Sequence, residues 1–123
     1  DYKTIQEVDG RSFVDELETP SQLEQVRPLF WHYPNSWGPT GPGIGAFSAI
    51  RKGDWKLIYY HKNENFELFN IAKDIGESEN LAATQMKKVE ELAENLTSYL
   101  KKVDAQMPSH QATKKQVTWP NEK

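Results

Sequence analysis

Between Ala46 and Phe69 the chain leaves room for very few architectures. Three strand-like runs follow one another: Ala46-Phe47-Ser48-Ala49-Ile50-Arg51, Asp54-Trp55-Lys56-Leu57-Ile58-Tyr59-Tyr60 and Phe66-Glu67-Leu68-Phe69. Lys52-Gly53 divides the first two, a hairpin signal with glycine where positive φ is needed. The polar turn Lys62-Asn63-Glu64-Asn65 divides the second from the third. Connections this short exclude parallel crossovers and leave an antiparallel meander. In the middle run Trp55, Leu57 and Tyr59 share one face, and Lys56, Ile58 and Tyr60 share the other. An earlier aromatic run, Pro28-Leu29-Phe30-Trp31-His32-Tyr33, stops at Pro34 and reads as one more strand.

The sheet needs a cover, and the sequence supplies one. From about Gln85 to Val103, Met86, Val89, Leu92, Leu96, Tyr99, Leu100 and Val103 recur in steps of three and four. They form the single apolar stripe of an amphipathic helix. Burying side chains of this kind at roughly 1.5–3 kcal/mol each supplies a sizeable part of the core's gross stabilisation. The expected fold is therefore α+β: a small antiparallel sheet of about four strands with one C-terminal amphipathic helix packed on it.

A chain of 123 residues suits one domain, or a piece of a larger protein, with one modest core. Apolar residues concentrate between Pro28 and Val103, so both ends read as peripheral. Residues 1–27 form a polar lead-in with a short helix expected from Arg11 to Leu17, broken at Thr19-Pro20-Ser21. Residues 28–108 form the α+β unit. Residues 109–123 form a polar tail whose only large apolar residue is Trp119. Asp1-Tyr2-Lys3 lacks the basic start and apolar run of a secretion signal, so the chain is expected to begin inside a longer gene product.

Several function classes fall away. The chain carries 15 basic and 18 acidic residues, a net charge of -3, which argues against a nucleic-acid partner held by a basic face. No stretch approaches the roughly 18 apolar residues needed to span a bilayer, so no membrane partner is expected. With no cysteine there are no disulfides, thiolate metal sites or cysteine nucleophiles. No nucleophile elbow, P-loop ending or His-Glu-x-x-His occurs. The acidic loop Asp74-Ile75-Gly76-Glu77-Ser78-Glu79 lacks the EF-hand ligand pattern and reads as a solvated turn. Asn95-Leu96-Thr97 matches a glycosylation sequon but lies inside the expected helix.

One cluster remains. His32, Tyr33, Asn35 and Trp37 stand where the aromatic strand runs into a loop broken by Gly38, Pro39, Gly41, Pro42, Gly43 and Gly45. Aromatic faces with hydrogen-bonding tips suit a sugar or aryl pocket, and long loops in compact domains are often functional. The competing reading makes the aromatics core residues and His32 a satisfied packing residue.

Several motifs, taken in order, resemble the C-terminal region of sulfatases, and bacterial arylsulfatase-type enzymes most. They are Asp9-Gly10-Arg11-Ser12-Phe13; Arg27 through Pro34; the glycine-rich loop; Ser48-Ala49-Ile50-Arg51-Lys52-Gly53-Asp54-Trp55-Lys56-Leu57-Ile58; Glu67-Leu68-Phe69-Asn70; Asp74-Ile75-Gly76-Glu77; Asn80-Leu81-Ala82; and Ala105-Gln106-Met107-Pro108. The resemblance implies an N-terminal catalytic domain of alkaline-phosphatase-superfamily type as this chain's partner. That domain would hold calcium and a formylglycine made from the Cys or Ser of a Cys/Ser-x-Pro-x-Arg motif. Its substrate would be a sulfated carbohydrate or aryl sulfate, and its compartment periplasmic or extracellular. None of that machinery occurs in this sequence, so the resemblance assigns it no catalytic residue and no cofactor of its own. It implies instead a structural piece whose segment from His32 to Gly43 lies toward the active-site mouth. Substrate contact would fall to His32, then Asn35 and Trp37. The alternative is a stand-alone carbohydrate-binding or protein-interaction module.

Overall fold

The computed structural model describes residues 14–18, 27–35 and 45–123. Most of the lead-in and nearly all of the glycine-rich loop, Trp37 included, lie outside the described residues. The elements are α1 (Val14–Glu18), β1 (Leu29–Tyr33), β2 (Phe47–Lys52), β3 (Trp55–Tyr60), β4 (Asn65–Asn70), α2 (Met86–Lys102) and a single 3-10 turn (Pro120–Glu122). The strands form one antiparallel sheet in the order β1-β2-β3-β4, and α2 packs on it, so the α+β architecture read from the sequence holds.

The first hairpin sits one residue later than its dipeptide suggests. Lys52 pairs with Trp55, so Gly53 and Asp54 are the central residues. Gly53 has a φ of +59°, and a Cβ there would meet nothing within 4 Å. Glycine is needed here for its backbone, not for space. At the far edge, the backbone of β4 is capped rather than left open. The Leu68 N–H donates to Asn80 Oδ1 at 3.0 Å, and the Leu81 N–H donates to the Leu68 carbonyl at 2.8 Å. A capped edge resists pairing with a foreign strand.

Strand alternation gives the sheet two unlike faces. One carries Phe30, His32, Ser48, Ile50, Leu57, Tyr59, Phe66 and Leu68, and α2 closes over it. Leu92, Ala93, Leu96, Thr97 and Leu100 are buried there. The stripe expected from sequence is corrected at its ends, since Met86 and Val103 are 65% and 50% exposed. The 17-residue helix is about 25 Å long, and Met86 at its start and the C-cap Val103 stand clear of the core. Tyr99, half-buried, stacks flat on Phe30 with ring centroids 3.8 Å apart.

Beyond Pro108 the chain folds back onto this same core. Val117 and Pro120 are buried, and Trp119 packs against the cluster. The Tyr59 hydroxyl donates to the Thr118 carbonyl at 3.0 Å, and the Asn121 N–H donates to Thr97 Oγ1 at 3.1 Å. Glu64, at a φ of +50°, clasps the segment from the other side. Its carboxylate meets His110 Nε2 and accepts from Thr118 Oγ1, each at 2.7 Å, and these contacts hold its carboxyl below the usual range. The expectation of a peripheral C-terminal end therefore gives way. Few apolar residues suffice to anchor a segment when its polar atoms find partners across the fold.

Candidate functional site

Two places on the sheet carry chemistry. The first lies under α2. His32 Nδ1 is 2.8 Å from Ser48 Oγ, and Ser48 Oγ is 2.8 Å from His61 Nε2. His32 Nε2 lies 3.1 Å from the carbonyl oxygen of Gln106. A carbonyl only accepts, so for neutral rings this pattern assigns every proton. His32 Nε2 carries a hydrogen, its Nδ1 accepts from the Ser48 hydroxyl, and Ser48 accepts from His61 Nε2–H. His61 Nδ1 is then a bare lone pair, and it is buried without a partner. Burial first, and the nearby His32 second, push the His61 imidazole down to about 4, so it stays neutral across the physiological range.

A serine between two histidines has the composition of a nucleophile with its base. Here it cannot act as one, because Ser48 is 0% exposed and His61 1%. The trio is a polar tie joining β1, β2 and the end of β3 to the loop after α2. Sequence reading missed it because the partners stand 13 and 16 residues apart. The hairpin register gives a partial signal: pairing Lys52 with Trp55 sets Ser48 opposite Tyr59, two residues from His61. The register of β1 cannot be counted across the long loop.

Two of the three expected substrate residues fall among the described residues. His32 is half-buried, and both its ring nitrogens are used inside the chain. Asn35 is exposed just past the end of β1. Trp37 lies outside the described residues. The sequon is structural, since Thr97 is buried in the core. Among the described residues, no three His, Asp or Glu side chains come together as a metal site. Likewise no described helix is long and apolar enough to cross a membrane.

The second place is the opposite face of the sheet. A groove of about 670 Å³ runs across it, lined by Trp31, Phe47, Ala49, Arg51, Lys56, Ile58 and Tyr60 from the strands, with Ile71, Ile75 and Glu77 at its rim. Trp31 and Tyr33 are 44% and 38% exposed on this side. Lys56 Nζ meets both oxygens of Glu77 at 2.7 Å, and the Tyr60 hydroxyl donates to Glu67 at 2.7 Å. Burial, with the Glu67 carboxylate next, raises the Tyr60 phenol to about 12 and keeps it a neutral donor. Such a face can receive apolar groups and a few matched charges, and among the described residues it brings no nucleophile and base together.

Comparison with known proteins fits this picture. No family model matches the chain. Over 82 residues, 64% of its length, it is 33% identical to a protein named Sulfatase from Formosa agariphila. That match spans only 15% of the relative's length. Among solved structures, BT4656 in complex with its substrate D-glucosamine-2-N,6-O-disulfate shares the fold. The TM-score is 0.65 at 21% identity, over 83% of this chain and 21% of that one. The motif resemblance thus has a counterpart in aligned sequence, and over that stretch this chain is similar to a sulfatase.

Proposed function

We propose that this chain is the C-terminal α+β subdomain of a bacterial, arylsulfatase-type sulfuric ester hydrolase, docked through the open face of its sheet onto a catalytic body that precedes it. One observation carries the proposal: α2 and the C-terminal segment cover one sheet face, while the other presents Trp31 and Tyr33 around an apolar groove. Exposed aromatic surface of this kind marks an interaction site. The small share of the relative's length matched here leaves most of such an enzyme elsewhere.

In this reading residues 1–27 lead from the catalytic body, and the alkaline-phosphatase-type core, the calcium and the formylglycine belong to that body. The parent acts on a sulfated carbohydrate or an aryl sulfate outside the cytoplasm. BT4656's disulfated glucosamine supports the sugar. His32 holds the end of β1 through contacts at both ring nitrogens, and substrate contact falls to Asn35 and Trp37.

The purified chain, given an aryl sulfate or the disulfated glucosamine with and without calcium, is expected to hydrolyse neither. Calcium-dependent turnover would contradict the proposal. The exposed Trp31 and Tyr33 favour one other reading, a stand-alone carbohydrate-binding module, because sugars stack on such rings. Saturable binding of a sulfated glycan by the isolated chain would select it.

A further inference from the structure

We propose that the catalytic body seats an aspartate or glutamate against Arg51 when it docks on the open sheet face. The inference rests on the docking reading above and names the chemistry of the partner. The cations and anions on this face are otherwise matched. Lys56 is held by Glu77, and Glu67 is satisfied by the Tyr60 hydroxyl. The Arg51 guanidinium alone has no ion pair or hydrogen bond among the described residues, although it is exposed and lines the groove.

Its surroundings make this costly to cover. Across the sheet Arg51 stands opposite Leu29 on β1 and Lys56 on β3, with Trp31 and Ile58 lining the same groove. A body that buried this face would strip water from a guanidinium among apolar neighbours, which is unfavourable unless a counter-charge arrives with it. A carboxylate offers the two-pronged geometry a guanidinium prefers. Glu77 already does the equivalent for Lys56. It is carried over the sheet by a loop whose backbone turns through a φ of +52° at Glu77, and Asp74 braces that loop by accepting from the Ser78 and Glu79 N–H groups.

The test uses the full-length polypeptide that carries this chain. An Arg51→Lys variant is treated with a carbodiimide, which joins an amine directly to a carboxylate in contact with it. A cross-linked peptide joining position 51 to an Asp or Glu outside these 123 residues is expected, and it should be absent from the isolated chain. In parallel, Arg51→Glu should lower the Tm of the full polypeptide and leave that of the isolated chain unchanged. If position 51 yields no such cross-link and Arg51→Glu leaves the full-length Tm unmoved while Trp31 is shielded there, the carboxylate is overturned and docking stands. If Trp31 is equally open in both forms, docking itself fails. A cross-link abolished by the disulfated glucosamine would also overturn the inference, because Arg51 would then serve a ligand anion.

Discussion

Asp104 ends α2 in a conformation better suited to glycine. It follows the C-cap Val103 with a φ of +52°, and the Ala105 N–H donates to the Leu100 carbonyl at 2.9 Å while the Asp104 N–H donates to Lys101 at 3.2 Å. This is a Schellman cap with aspartate in the left-handed position. Asp104→Gly should therefore stabilise the protein by about 0.5–1 kcal/mol in a denaturant titration. Gly53→Val should do the reverse, costing about 1 kcal/mol or more. The open space around Gly53 makes that cost a backbone one. His61 supplies a pH dependence of definite sign. Its folded value of about 4 lies below the ordinary 6.5, so the unfolded chain binds the proton more readily. Stability from this residue is complete above pH 6.5 and falls by up to about 3 kcal/mol as the pH drops toward 4. His61→Asn should flatten the part of the stability–pH curve between those limits. Gly53's positive φ was legible in a dipeptide. The strain at Asp104, Glu64 and Glu77 was not, because it is repaid by caps and by tertiary hydrogen bonds to residues far along the chain.

At the scale of elements, the strands were legible because alternation and turn spacing are local properties. All four appear where the sequence places them, within a residue or two at their ends. The helix was legible by its period, but which turns touch the sheet was not. Periodicity gives a direction around the axis and says nothing of how far the sheet extends beneath it. Leu96→Ala, at a fully buried position, should cost about 2–5 kcal/mol, whereas Met86→Ala, exposed at the helix start, should stay within about 0.5 kcal/mol. Equal losses at the two positions would mean that the first turn packs as closely as the middle of the helix. The C-terminal segment read as a polar tail because its anchoring contacts, Tyr59 to Thr118 and Thr97 to Asn121, join residues that carry no local signal.

At the scale of the molecule, the described residues cover the sheet on one side only. The covered face contains the core and the His32–Ser48–His61 tie; the uncovered face holds the groove, with Trp31 and Arg51 facing solvent. The sequence had already divided Lys56, Ile58 and Tyr60 from Leu57 and Tyr59, yet it could not say which face would be left open, since that depends on where α2 and the residues after Pro108 settle. Hydroxyl-radical footprinting tests the proposed docking of the open face most directly. Trp31 should be oxidised readily in the isolated chain and shielded in the full-length polypeptide, while Met86, exposed and not among the groove's lining residues, reacts equally in both. Equal oxidation of Trp31 in the two forms would contradict the account.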